Sequence, residues 1–331
     1  MHDPPYQVDD GQLVPVLDLP IRVARLLEGA MGAGAELVEP DPAPGDSLLA
    51  VHDPEMIRYF ETAHPRWSAD GRTGPVVPDS FGPRRGGRRP EPGADVRAEA
   101  GYFCRDTATP IIETTWRAAQ WAAASAITAA RLVTEGTNWA YALCRPPGHH
   151  AARGEYSGFC YLNNAALAAS GLRAHGRVAI LDIDFHHGNG TQELFWEAPD
   201  VFYASLHGSP RRHFPFYCGY ADERGADSCR GTVLNVPLPD GTDGKRYLGE
   251  LHDVVARIAE FGASHLVISL GLDIARDDPV GTFELGNDDL YQVGAAAGQL
   301  GLPTVITQEG GYDVPGLGDQ LRAFLLGLCS S

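Results

Sequence analysis

Two rhythms of apolar residues alternate along the chain and predict its elements. Residues 17–27, 54–64, 114–132, 163–175, 245–261 and 288–300 carry apolar side chains three or four apart, the period of a helix with one buried face. Trp116 and Trp121 keep that period in the Ala-rich stretch 114–132, where packing explains them better than a cofactor does. A short run, 47–52, lies between the first two stretches. Farther on come four compact apolar runs: Trp139-Ala140-Tyr141-Ala142-Leu143-Cys144, Val178-Ala179-Ile180-Leu181, His265-Leu266-Val267-Ile268-Ser269-Leu270 and Thr304-Val305-Ile306-Thr307. Runs so short and apolar read as strands buried on both faces, and helices between them predict βαβ units in a parallel sheet. The expected class is α/β, a three-layer arrangement within a single domain spanning 1–331. One stretch breaks the pattern. Residues 65–99 repeat Pro and Gly and carry the basic cluster Arg84, Arg85, Arg88 and Arg89. A long irregular insertion is usually functional or disordered, and a basic one on an acidic chain could also serve self-association.

Each of the four runs ends in polar residues. The first leads into Arg145-Pro146-Pro147-Gly148-His149-His150 and the second into Asp182-Ile183-Asp184-Phe185-His186-His187-Gly188-Asn189-Gly190-Thr191. The third leads into Gly271-Leu272-Asp273 and the fourth into Gln308-Glu309-Gly310-Gly311-Tyr312. Ligands of parallel sheets bind beyond the carboxyl ends of the strands, so four chemically loaded ends predict one site. Carboxylates and imidazoles at the end of a buried strand call for a positive partner, and this donor set suits zinc, manganese or iron better than calcium. A solvated turn before a helix near Thr191 would account for one such acid but not for the cluster. Asp184 and His186 stand two apart, so in extended backbone they point to the same side. Asp182 shares that parity, and a third ligand could equally come from another strand. With Asp184, His186 and Asp273 as ligands, a zinc-like ion keeps a position open for water and substrate, lowers the pKa of that water and polarises a carbonyl.

Tandem His149 and His150 cannot both pack the same way, and they suit the general base and acid of an acyl transfer. Asp182 could orient His149, and Asn189 could orient His150, which a neutral amide leaves less basic. Tyr312, after two glycines, can swing a phenol toward a developing oxyanion. Gly158, Phe159, Phe214 and Pro215 could line a narrow apolar channel.

Composition narrows the reading further. A chain of 331 residues with 44% hydrophobic and 21% charged residues has ordinary globular composition and no apolar run near membrane-spanning length. The start, Met1-His2-Asp3-Pro4-Pro5-Tyr6, lacks the cationic region and apolar core of a secretion signal, which predicts a cytoplasmic location. Six cysteines without a CxxC pair indicate neither a zinc knuckle nor a disulfide framework. A net charge of −17 disfavours nucleic acid and anionic membranes as partners and is compatible with a cationic ligand.

Taken together, the segments 145–150, 182–191, Ser205-Leu206-His207, 271–273 and 309–312 resemble the zinc-dependent deacetylases of the histone deacetylase superfamily. The likeness is greatest to its bacterial acetylpolyamine amidohydrolase branch, and it runs from about Leu13 to the C-terminus. It implies the arginase/deacetylase fold, with a central parallel sheet of about eight strands flanked by helices. It also implies one zinc ion on Asp184, His186 and Asp273, acid–base catalysis by His149 and His150, and carbonyl activation by Tyr312. A structural potassium ion is implied near Asp182, Ser205 and the backbone of Asp184, His186 and Leu206. In this branch the insertion matching 65–99 helps build a homodimer that narrows the active-site channel. Two departures stand out. The branch places acidic residues for a cationic polyamine where this chain has Arg97 and Ala108, which predicts a weaker preference for polyamines unless Asp106 or Glu113 substitutes. The apolar first strand that relatives place before the loop like 9–15 is also lacking, as in a shortened start.

The expected activity is zinc-dependent removal of acetyl or another small acyl group from an acetylated amine, with acetyl-lysine or other acylated amines as alternatives. A ureohydrolase with two manganese ions would want a carboxylate at position 188, which is Gly188. A catalytically silent acyl-amine binding protein would have no use for the ligands, both histidines and Tyr312 together.

Overall fold

The computed structural model describes residues 2–9, 11–82, 89–91 and 93–330. Strands β1 (Gln7–Asp9) and β2 (Gln12–Val14) form a separate antiparallel hairpin. Strands β3 (Trp139–Ala142), β4 (Val178–Asp182), β5 (Val201–Gly208), β6 (Val233–Leu238), β7 (His265–Leu270) and β8 (Thr304–Gln308) join in one parallel sheet of order β3-β8-β7-β4-β5-β6. Among the described residues this sheet has six strands where about eight were expected. The four runs read from the sequence are neighbours in it, and β5 and β6 extend it past β4. β5 is masked in the sequence by Ser205 and His207, which it buries against each other, Oγ to Nδ1 at 2.8 Å. β6 is masked by Pro237, which an edge strand tolerates.

Ten helices cover the sheet among the described residues: α1 (Ile21–Gly32), α2 (Gly45–Val51), α3 (Pro54–Ala69), α4 (Val96–Phe103), α5 (Thr115–Thr134), α6 (Asn164–Leu172), α7 (Asn189–Phe195), α8 (Gly244–Phe261), α9 (Asn287–Gly298) and α10 (Leu317–Leu328). Side chains alternate across a strand, so each strand feeds two cores. Val178 and Ile180 of β4 pack with α2 to α7, whereas Ala179 and Leu181 pack with α1 and α8 to α10. The run 47–52 is thus largely helix α2. The Asp53 carboxylate accepts from Glu55 N at 2.8 Å to start α3, with Pro54 at its first position, where no amide proton is needed.

The irregular insertion is shorter than 65–99, because α3 continues to Ala69 and α4 begins at Val96. Arg89 pins its far side to α3 through Asp53 at 2.8 Å and Glu55 at 2.6 Å. The remaining basic residues, Arg84, Arg85 and Arg88, lie outside the described residues. None of the six cysteines is in a disulfide in the structure. Among the described residues no helix is long and apolar enough to cross a membrane.

Candidate active site

Because β3, β8, β7 and β4 are adjacent and parallel, the segments after them meet at one edge of the sheet. Asp184 and His186 follow β4, and Asp273 follows β7. Ligand atoms of these three lie within 4.8 Å of one another. His186 Nδ1 sits 3.2 Å from Asp184 Oδ1 and 3.1 Å from Asp273 Oδ2. Two glycines make room: a Cβ on Gly271 would collide with Asp184, and one on Gly310 would come within 2.7 Å of Asp184 Oδ2 and 2.5 Å of Asp273 Oδ2. Two buried carboxylates so close strain against both ionising. Burial and Asp184 together push Asp273 up to about 7, while Asp184, which burial alone would raise, is held low by His149 and His186. Burial would lower His186, but the two carboxylates raise it to about 9. A divalent cation bound by this oxygen and nitrogen set would relieve the clash, so the residues present fit a zinc-like ion.

A second group of possible donors, His149, Cys160 and Glu309, lies close together, also within 4.8 Å. Its atoms are already engaged. His149 Nδ1 meets Asp182, the Cys160 thiol donates to the Gly158 carbonyl at 3.3 Å, and the Glu309 carboxylate accepts from the backbone N–H groups of Gly148 and His149.

The rings of the two histidines lie against each other at a tilt of 47°, with centroids 4.0 Å apart, but have different partners. His149 Nδ1 lies 3.1 Å from Asp182 Oδ2, which also accepts from the Tyr203 hydroxyl at 3.0 Å. His149 Nε2 is 3.7 Å from Asp184 Oδ1, so the ring faces the ligand set. His150 Nδ1 lies 2.7 Å from Asn189 Oδ1. Burial pulls both imidazoles down. Asp184 and Asp182 reverse this for His149, raising it to about 10, whereas His150, with His149 and His186 beside it, falls well below 6.5. A cation on Asp184 would offset the main cause of the rise at His149.

Tyr312 closes the opposite side, and the edge of its ring meets Phe159 with centroids 5.9 Å apart. Phe214 meets His150 edge-on at 4.8 Å. Gly158 has φ +57° and a Cβ there would strike the His150 ring, so only glycine fits this wall. Asp106 secures it, accepting from Gly158 N at 2.5 Å. Beyond His150 opens a groove of about 1100 Å³, lined among others by Asp106, Glu155, Glu193, Glu197 and Glu223. Arg105 also lines it, held to Glu155 at 2.7 Å. Arg97 and Glu113 do not line this groove, and Arg97 turns to Asp95, Nη2 to Oδ2 at 2.8 Å. Ala108 serves through its backbone N–H, which donates to Asp106 at 3.0 Å. Ser205 lies opposite Asp182 in the β4–β5 register, with Leu206 next to it.

Three residues that sequence reasoning did not single out shape the Tyr312 segment. Buried Arg22 donates to the carbonyls of Gly311 at 2.7 Å and Glu309 at 2.8 Å, and its guanidinium lies 4.8 Å from the Tyr312 ring centroid. Asp18 pairs with both Arg22 and Arg145. The Asp278 carboxylate accepts from Tyr312 N at 2.6 Å. The tie to Asp278 is to backbone, and Arg22 too holds its loop by carbonyls, so motif spacing could not disclose either.

These features define a hydrolase of the deacetylase type, and residues 19–328 match the histone deacetylase domain. The chain belongs to that family, which is generally zinc-dependent. Among its relatives, the acetylpolyamine amidohydrolase of Mycoplana ramosa is 41% identical over 96% of this chain and 94% of its own. The crystal structure of the acetylpolyamine aminohydrolase from Burkholderia pseudomallei superposes with TM-score 0.94 at 40% identity, covering 99% of this chain and 95% of that one. The HD domain of HDA15 superposes at TM-score 0.79 and 27% identity, over 99% of this chain and 88% of that one.

Proposed function

We propose that this deacetylase removes acetyl groups from acetylated polyamines, using zinc on Asp184, His186 and Asp273. The observation that carries the reading is the meeting of that ligand set with paired histidines and a buried tyrosine, beside a groove lined by carboxylates. When bound, the ion supplies a Lewis acid that makes water acidic and polarises the acyl carbonyl. His149, kept in register by Asp182, takes a proton from the attacking water. The phenol of Tyr312 donates a hydrogen bond to the oxygen that gains charge as the carbonyl is attacked. As the C–N bond breaks, the proton taken from the water is passed on through His150, whose Nδ1–H donates to Asn189 and leaves Nε2 to receive that proton and deliver it to the departing amine. Gly158, Phe159 and Phe214 exclude water and hold the acyl chain.

Arg97, turned toward Asp95, does not oppose a distal ammonium, and the carboxylates of the groove favour one. A potassium ion beside Asp182, Ser205 and the backbone of Asp184, His186 and Leu206 rests on the family likeness. Asp182 and Ser205 already engage His149, Tyr203 and His207, and no step here is assigned to that ion. A homodimer built through the 65–99 insertion belongs to the same proposal, and sedimentation of the purified protein tests it. The test of function is turnover of acetylputrescine, acetylspermidine, an uncharged acetylated alkylamine and an acetyl-lysine peptide by zinc-loaded protein. Preference for the acetylated polyamines is expected; turnover of none of them would refute the assignment.

A further inference from the structure

The turn that carries both histidines poses an accounting problem in backbone hydrogen bonding. Pro146 and Pro147 have no N–H, so the first donors after Arg145 are those of Gly148 and His149. The turn is buried, and buried N–H groups without acceptors are costly. Gly148 itself is packed so tightly that a Cβ would collide with the backbone of Asn164 and Leu162. Both donors end on one atom: Glu309 Oε2 accepts from Gly148 N at 2.7 Å and from His149 N at 3.1 Å. Glu309 is wholly buried, and its other oxygen is 3.3 Å from the Thr307 hydroxyl.

The chain on either side of Glu309 reaches the rest of the site. Its own N–H donates to the Leu270 carbonyl at 2.8 Å, its carbonyl accepts from Arg22, and the next residue, Gly310, donates to Asp184 Oδ2 at 2.8 Å. Tyr312 follows two residues later. From these contacts we infer that Glu309 is a positioning residue: its side chain locks the His149–His150 turn to the segment that carries Tyr312 and steadies Asp184. It is neither one of the residues that line the groove nor one of the three zinc-type ligands, so it acts through the placement of His149 and His150. The inference rests on the proposed reaction only for its kinetic arm.

Isosteric replacements separate acceptor from charge. Gln at 309 keeps an oxygen for the two N–H groups and can turn its amide toward the Thr307 hydroxyl, while Met fills the same space with no oxygen acceptor. Two measurements apply: amide hydrogen exchange at Gly148 and His149 in the metal-free protein, and kcat and KM of the zinc-loaded protein on the best acetylated amine. Glu309→Gln should keep slow exchange and stay within a few-fold of wild-type kcat. Glu309→Met should lose protection at both amides and drop kcat by roughly tenfold to a hundredfold at unchanged KM and zinc content, the size of loss a small misplacement causes. Equal loss in both variants would assign the effect to charge and overturn the inference, as would a Met variant with wild-type kcat and protection. Should the Met variant not fold, Glu309→Gln decides alone: fast exchange or a large fall in kcat refutes positioning. If wild type turns over no acetylated amine, the functional proposal fails, yet the exchange comparison still judges Glu309.

Discussion

Burial holds the Tyr312 phenol well above its usual pKa, with Arg22 pulling the other way, so it remains a proton donor throughout the neutral range. A donor aimed at charge that develops only during reaction should matter little to binding. Tyr312→Phe is therefore expected to keep fold, zinc and KM while lowering kcat by roughly two to three powers of ten, as steady-state kinetics and metal analysis will show. Arg97 offers the opposite case. Its guanidinium is exposed and satisfied by Asp95, so Arg97→Glu should leave the ratio of kcat/KM for acetylputrescine over an uncharged analogue within about twofold, since exposed pairs of this kind are worth little. A large change would return Arg97 to the substrate path. These two residues also mark what a sequence discloses at this scale. Histidines, carboxylates and a tyrosine declare their chemistry by type, and their spacing placed them together. The direction in which Arg97 points, and the backbone groups that Glu309, Asp278 and Arg22 hold, depend on contacts across the fold that no local pattern encodes.

Between elements, His52 joins the end of α2 to the start of α6. Its Nδ1 lies 2.9 Å from the Ala152 carbonyl and its Nε2 accepts from Asn163 N at 2.9 Å, which fixes a neutral ring with Nδ1–H donating. A second proton would face a donor in a dry interior, and burial accordingly lowers this imidazole to about 4. In the unfolded chain it protonates near 6.5. The folded state thus binds fewer protons between those values: stability is full above about pH 6.5 and falls toward pH 4, by on the order of 3 kcal/mol for this group. His2 and His207, also lowered to about 4, add to the same decline. Urea midpoints at pH 7 and pH 5 should therefore separate more in wild type than in His52→Gln. Equal separation would mean that His52 takes up its proton as readily in the folded state as in the unfolded one. The elements it joins differ in how readily they are read. Helices α5, α8 and α9 and strands β3, β4, β7 and β8 follow their apolar periods closely. Strands β5 and β6 do not, because buried Ser205 and His207 satisfy each other and Pro237 sits at an edge. Within 65–99, helical ends were hidden by Pro65, which lies inside α3.

The sheet as a whole holds Asp184 and Asp273 together by packing that extends over both cores, so without a cation the fold bears the cost of their repulsion, which a bound cation relieves. Binding to the folded state alone adds stability by mass action, about 2.7 kcal/mol at a hundredfold excess over Kd. Chelator-stripped protein should thus melt several degrees lower than zinc-loaded protein, roughly what that energy is worth for a domain of this size. Asp184→Ala, His186→Ala and Asp273→Ala should each abolish the zinc-dependent rise along with activity. The same geometry speaks to metal number. A second ion, as in a manganese ureohydrolase, would need a further carboxylate near His186, and position 188 is closed to one. A Cβ there would collide with Asp182 Oδ2 and come within 2.7 Å of the Tyr203 hydroxyl and 3.1 Å of His149 Nδ1. Gly188 is thus fixed by the hydrogen bonds that orient His149, and the room a second metal ligand would occupy is already used to hold that imidazole in place. Metal analysis of active protein is expected to give one catalytic divalent ion per chain, while two stoichiometric manganese ions with turnover of guanidino substrates would contradict this account of the site.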